Sequence, residues 1–167
     1  MATELNWLEG PWRGRLALAA RPRGGDWLQD EIEGWRRAGV NAVVSLLTPE
    51  EEADLDLRDE AVEIKTQGLR FASFPIPDRQ VPPSESELAA MLEQLDADLS
   101  SGMNVMVHCR QGVGRTGLVA ACLLVTKGLH PEAAVQRVTA ARGASVPETA
   151  GQRQWIDHYA EVLAGTK

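Results

Sequence analysis

The residues of this chain best suited to chemistry are a cysteine, an arginine six positions later and the glycines between them. They lie in VMVHCRQGVGRTG, residues 105–117, where an apolar run stops at His108 and Cys109 and passes into Arg110, Gln111, Gly112, Val113, Gly114 and Arg115. Two glycines permit backbone conformations closed to other residues, so successive amides can turn inward together. A ring of converging N–H groups binds an anion, and a helix beginning near Arg115 adds the positive end of its dipole. The guanidinium of Arg115 contributes a planar fork of donors matched to two phosphate oxygens. A thiolate is an anion too, so the loop that holds phosphate also favours ionisation of the Cys109 sulfur. His108 and Thr116 are close enough in sequence to tune it. One loop thus supplies both a receptor and a nucleophile.

Plainer readings exist: Cys109 as a buried residue at a strand end, and the glycines as an ordinary phosphate-binding loop. A nucleotide-binding Walker loop ends in lysine followed by serine or threonine, where this chain has Arg115 and Thr116, and a dinucleotide fingerprint spaces three glycines differently. Neither plain reading accounts for the cysteine and the arginine together.

HCRQGVGRTG meets every fixed position of the signature H-C-x-x-G-x-x-R-[ST]-G over ten consecutive residues. Through it the chain resembles the cysteine-dependent protein tyrosine phosphatases, dual-specificity enzymes included. The resemblance implies an aspartate on a mobile upstream loop acting as general acid, and FPIPDRQVP offers Asp78, 31 positions before Cys109. Alone, Pro77-Asp78 reads as a turn; its distance from Cys109 favours the acid loop. Near the C-terminus VPETAGQRQWI resembles the family's segment with glutamine, threonine, two variable residues and a second glutamine. Thr149 and Gln152 match, and Glu148 replaces the first glutamine, which helps place the hydrolytic water. Gln152 and Glu148 are therefore candidates for positioning water or substrate, although a carboxylate at 148 must turn away from a bound phosphate. GRLALAARPRGGDWLQDEIEGWRRAGVNAVVSLLTPEE resembles the opening of compact dual-specificity members, especially the kinase-associated phosphatase branch.

What the resemblance implies is phosphomonoester hydrolysis in two steps. The Cys109 thiolate attacks phosphorus while Asp78 protonates the leaving oxygen, and Asp78 then takes a proton from the water that opens the phosphocysteine. The 110–115 amides and Arg115 hold the equatorial oxygens, and Thr116 assists departure of the sulfur. No metal or cofactor is expected, since His108, His130, His158, Cys109 and Cys122 have no zinc-ligand spacing. His130 and His158 read as helix residues, Cys122 as a small buried one, and Arg79 as a solvated loop arginine. Arg110, at a variable signature position, is a candidate for reading substrate charge. The expected partner is a phosphorylated protein or a small phosphomonoester. A phosphoinositide, an inositol phosphate or an RNA 5′ triphosphate remains an alternative substrate, and a silent phosphate-binding module or a redox sensor a rival function. Lipid-directed members place lysines where this chain has Gln111 and Val113.

Short apolar runs suited to buried strands must deliver these residues: RLALAA (15–20), VNAVVSLL (40–47), LRFASFPI (69–76) and NVMVHC (104–109). Amphipathic stretches alternate with them. Helices are expected around 26–38, 50–66, from Ser84 with its capping-box partner Glu87, from Gly114, over 131–142 with Gly143 as cap, and after Pro147. The alternation predicts an α/β class: one domain over 1–167 with a mainly parallel sheet of four to five strands covered by helices on both faces. Ligands in such sheets sit beyond the carboxyl ends of the strands, where Cys109 falls.

Composition agrees with one globular unit: 44% hydrophobic and 25% charged residues exclude disordered and fibrous classes. With 17 Lys and Arg against 24 Asp and Glu, a net charge of -7 argues against nucleic-acid and anionic-membrane partners. MATELNWLEG lacks the features of a signal peptide, and LVAACLLV at 118–125 is too short to cross a bilayer. A cytoplasmic location is expected. The sequence carries no signal for oligomeric state.

Overall fold

In the computed structural model, which describes residues 2–165, each of the four apolar runs becomes a strand: β2 (Leu16–Ala19), β3 (Ala42–Ser45), β4 (Arg70–Ser73) and β5 (Val105–His108). An unforeseen strand, β1 (Asn6–Leu8), pairs antiparallel with β2, giving five strands in the order β1-β2-β5-β3-β4. The other three ladders are parallel, and β5 runs through the centre. His108 lies in register with Ala19 and Ser45 on its two neighbours, so the central strand ends level with theirs. Everything after it lies at the carboxyl edge of the sheet.

Both faces of β2, β3 and β5 are covered, as their near-continuous apolar runs require, whereas β4, expected to be buried, is an edge strand with Arg70, Ala72 and Ser73 exposed and Phe71 half-buried. Leu16, Leu18, Val44, Val105, Val107 and Cys109 face one core layer, built with α4 (Glu85–Ser100), α5 (Gly114–Thr126), α6 (Pro131–Arg142) and α7 (Ala150–Gly165). Ala17, Ala19, Val43 and Met106 face the other, beneath α1 (Leu28–Arg37) and α3 (Glu60–Thr66). Helix α5 is buried around almost its whole circumference, with every residue from Gly114 to Val125 out of solvent. That explains why LVAACLLV lacks amphipathic periodicity. Gly117 lets α5 approach its neighbours closely, since a Cβ there would lie 2.8 Å from the Val146 Cβ.

Helix boundaries follow the caps. Ser84 accepts from the Glu87 amide at 3.2 Å, and Gly143 ends α6 at φ 78°. Two expected helices differ. The first begins as a 3-10 turn, Gly25–Trp27, before α1. The second, expected over 50–66, is broken into α2 (Pro49–Asp54) and α3, with Asp56 at φ 56° between them. Aspartate is one of the few side chains that tolerate this left-handed backbone, and the Gly25 amide bonds the Asp56 carbonyl at 3.1 Å. The break turns α3 back so that Glu60 reaches under the sheet edge.

Candidate active site

Strand β5 ends at His108, and Cys109 enters the loop with its side chain 2% exposed. The loop is shaped by what its carbonyls do. The Arg110 carbonyl accepts from the Arg21 amide at 3.2 Å, and those of Gln111 and Gly112 accept from Arg142 Nη2 and Nε at 2.9 and 3.0 Å. The Cys109 carbonyl faces His108 Nδ1 at 3.4 Å. In a trans peptide the next residue's N–H points opposite to the carbonyl, so four outward carbonyls turn the amides of 110–113 inward. The Gly112 amide shows the result, donating to Cys109 Sγ at 3.2 Å. Gly112 has φ 74°, and a Cβ there would lie 2.6 Å from the Ala19 carbonyl, so no other residue fits without moving β2. The first-turn amides of α5 complete the ring.

Arg115 is 1% exposed and closes the cradle from the first turn of α5. Its Nη1 donates to Glu51 Oε1 at 2.6 Å and the Ile76 carbonyl at 2.8 Å; its Nη2 donates to Glu51 Oε2 at 2.9 Å and Asp78 Oδ1 at 3.0 Å. A guanidinium has five N–H groups. Both on Nη1 and one on Nη2 are thus held by Glu51 and Ile76. That leaves the Nε–H and the Nη2–H now on Asp78, a two-pronged edge for an incoming oxyanion.

Burial alone would push Glu51 up, but the bond from Arg115, the Thr48 bonds and the Arg115 charge outweigh it and hold the carboxyl below the usual range. Burial likewise opposes charge on Arg115, and Glu51, Cys109 and Asp78 more than compensate, pushing the guanidinium further up. The arginine is a permanent cation, partly neutralised in advance. Asp78 itself lies on the loop after β4 with its side chain 48% exposed.

Residues 17–129 match the family model described as "Polymorphic toxin system, DSP-PTPase phosphatase". The chain belongs to this family. The rat protein named cyclin-dependent kinase inhibitor 3 is 26% identical over 139 residues, 82% of this chain but 65% of its own length, so the chain spans just under two thirds of that relative. A tyrosine-protein phosphatase of Autographa californica nuclear polyhedrosis virus is 28% identical over 120 residues, 70% of this chain and 67% of its own. The fold is that of kinase associated phosphatase, solved with its catalytic-site cysteine substituted by serine: TM-score 0.90 at 22% identity, covering 98% of this chain and 97% of that one. The expected α/β class and compact dual-specificity-like membership of the phosphatase superfamily both hold.

The signature residues and Asp78 thus converge on one edge of a family fold, and the C-terminal candidates pack against it: a Cβ on Gly114 would lie 2.9 Å from Gln152 Oε1 and 3.0 Å from the Glu148 Cβ. Gln152 is fully buried: Oε1 accepts from the Glu148 and Thr149 amides at 3.0 and 3.1 Å, and one of the two N–H groups of Nε2 donates to the Gln80 carbonyl at 3.1 Å. It caps the approach to α7 and ties down the loop that carries Asp78. Glu148 pairs with Arg79 at 3.2 Å, so its carboxylate is engaged by the acid loop. Arg79, 62% exposed, is solvated as expected and has a partner besides. Arg110, 40% exposed, lies 3.6 Å from Glu51. The Thr116 hydroxyl is buried without a hydrogen-bond partner. His130 caps α6, His158 meets Glu85 at 3.1 Å on α7, and Cys122 is buried in α5, its thiol pushed up by burial.

Sequence reasoning missed Glu51, Arg142 and Arg21. Glu51 had a signal: Thr48-Pro49-x-Glu51 forms a capping box with reciprocal bonds, which places its carboxyl at the first turn after β3, on the same edge as Cys109. Arg142 and Arg21 had none, because their function is a bond to distant backbone.

Proposed function

We propose that the chain is a cysteine-dependent phosphatase acting on phosphorylated protein side chains, with Cys109 as nucleophile and Asp78 as general acid and base. The observation that carries this reading is the inward Gly112 amide on Cys109 Sγ in a loop whose carbonyls are tied outward. Such a ring of amides is already aimed where negative charge collects in phosphoryl transfer. Substrate phosphate takes the Nε and Nη2 edge of Arg115, displacing Asp78. A carboxyl released from the arginine and set beside a phosphate dianion can carry the proton that the leaving oxygen needs. Sulfur attacks phosphorus in line, the P–O bond to the leaving group breaks, and Asp78 delivers its proton to that oxygen. Water then attacks the phosphocysteine, giving its proton back to Asp78 and returning the thiolate.

Asp78 and Arg110, 48% and 40% exposed, leave the mouth open, as a phosphorylated side chain on a protein surface requires. In this reading Arg110 meets substrate charge, Thr116 assists the departing sulfur, and Gln152 holds the acid loop through Gln80 while its second Nε2–H is left for water. Two free cysteines, one of them the nucleophile, favour a reducing compartment and hence the cytoplasm. Among the described residues no helix is long and apolar enough to cross a membrane. Hydrolysis of an aryl phosphate by wild type, Cys109→Ser and Asp78→Ala tests the reading. Turnover abolished by Cys109→Ser is expected, with a trapped phosphoenzyme in wild type; no turnover by wild type would sink it.

A further inference from the structure

Asp78 is held in the free protein by a contact that the reaction must break. Its Oδ1 accepts from Arg115 Nη2 at 3.0 Å, on the edge that an incoming phosphate takes. Once phosphate is seated there, the acid needs another hold to stay over the leaving oxygen. The next residue along the chain supplies one.

Residues 77–80 form a turn closed by the Gln80 amide on the Pro77 carbonyl at 3.0 Å, with Asp78 and Arg79 at its two central positions. Arg79 has φ 63°. A positive φ at the third position of a turn is ordinarily left to glycine or asparagine, and a long side chain adopts it only where its surroundings enforce it. The two central side chains have partners on different elements. Asp78 reaches Arg115 on α5, and Arg79 Nη1 lies 3.2 Å from Glu148 Oε2, just before α7. Phosphate competes for the first of these ties and leaves the second alone.

A latch works only if its far end is fixed. The Glu148 amide donates to Oε1 of the buried Gln152 at 3.0 Å. A Cβ on Gly114 would lie 3.0 Å from the Glu148 Cβ, so residue 148 also packs against the first turn of α5, beside Arg115. Its carboxylate nevertheless pairs with Arg79 of the turn. The two side chains are 62% and 27% exposed, and the gain from so exposed a pair is of the same order as the cost of the left-handed arginine. A tie of that strength lets the turn open for product release and close again.

We propose that Arg79 and Glu148 are positioning residues for the acid: their ion pair keeps Asp78 over the cradle after phosphate has displaced it from Arg115. Glu148 thereby serves the bond-breaking step through the turn, and not the water that opens the phosphocysteine. The proposal rests on Asp78 being the general acid, and one arm of its test needs no turnover.

The test is kcat/KM for a series of aryl phosphates whose leaving groups span a range of basicity. This quantity covers the steps up to phosphocysteine formation, where a basic leaving oxygen depends most on the acid. Glu148→Gln keeps the shape and removes the charge. It is expected to match wild type on p-nitrophenyl phosphate and to be about three- to fivefold slower on phenyl phosphate, the loss that an exposed ion pair accounts for. Arg79→Met should behave alike, the double variant should lose no more than either alone, and Arg79→Lys should recover most of the rate. Wild type in about 0.5 M salt should approach the variants. An equal loss on both esters with a lowered melting temperature would make the pair merely structural. Phosphocysteine that accumulates in Glu148→Gln with an unchanged leaving-group dependence would assign Glu148 to the water. Either result overturns the proposal. The arm without turnover is hydrogen exchange of residues 77–81 in saturating inorganic phosphate: about three- to fivefold faster exchange in Glu148→Gln than in wild type is expected, and equal rates refute the latch. A wild type that hydrolyses no phosphate ester but shows this difference in exchange ends the phosphatase reading and upholds the latch on the turn.

Discussion

Removing the Glu51 carboxylate tests how the cradle is built. Glu51 makes both in-plane bonds to the buried Arg115, at 2.6 and 2.9 Å, and Glu51→Ala leaves that cation with the Ile76 carbonyl at 2.8 Å, Asp78 at 3.0 Å and the distant Leu46 carbonyl at 3.5 Å. Removing one partner of a buried pair costs about 3–5 kcal/mol, and the surviving acceptors place this case near the lower end, at about 3 kcal/mol. For a domain of this size that corresponds to a fall in Tm of roughly 6–12 °C, read by calorimetry. Activity should fall further than stability explains. Asp78 becomes the nearest counter-charge for Arg115 and stays on the Nη2–H that phosphate needs. The kcat/KM for an aryl phosphate is expected to drop by about a hundredfold or more at temperatures where the variant is fully folded. Glu51→Gln should be intermediate in both. The pH dependence has a definite sign: the folded-state pKa of Glu51 is lowered, so its stabilisation is present above the unfolded value and fades as pH falls through the lowered one. The Tm gap between wild type and Glu51→Gln should therefore be widest near neutrality and narrow below about pH 4. If Glu51→Ala melts with wild type and keeps its activity, Arg115 does not depend on this carboxylate and the account of the cradle is wrong.

Gly112→Ala adds a Cβ 2.6 Å from the Ala19 carbonyl at a φ of 74°, and should cost about 2 kcal/mol of stability together with most of the activity, measured by urea unfolding and aryl phosphate turnover. Arg142→Gln frees the carbonyls of Gln111 and Gly112 and should weaken inhibition by vanadate about tenfold, with a smaller change in Tm. Glu52 is pushed up in the folded state, so its ionised form opposes folding. Glu52→Gln should raise Tm by about a degree or two near pH 7, and the gain should vanish below about pH 4, where wild-type Glu52 is protonated folded or unfolded.

The parts of the molecule legible in the sequence are those that local chemistry determines. Buried parallel strands read as unbroken apolar runs, and Ser84, His130-Pro131 and Gly143 marked helix ends by caps that act within a few residues. The loop after Cys109 was legible because its ring of amides needs a fixed spacing of cysteine, glycine and arginine. Strand β1 was not, since three residues are too few to show a period, and the ladder with β2 holds it. The break between α2 and α3 was hidden for the opposite reason: LDLRDE keeps a helical composition, and the turn at Asp56 is supported from outside, by the Gly25 amide. Arg142 and Arg21 grip carbonyls, which every residue has, so no side-chain pattern discloses them. Gln152 was found by resemblance, but its bonds to backbone groups of residues 80, 148 and 149 were hidden, because backbone groups leave no mark in the side-chain pattern.

Helix α5, buried along nearly its whole length, carries Gly114 and Arg115 on its first turn and lies between the sheet and three other helices. The first turn of this helix is therefore an extension of the hydrophobic core and has little freedom to change shape. The loop after Asp78 has only light fastenings, among them Gln152 to Gln80 and Arg79 to Glu148. Attempts to retarget the protein should leave the 109–116 segment alone and diversify 79–83, where a new substrate preference can be introduced without disturbing the machinery that grips phosphorus.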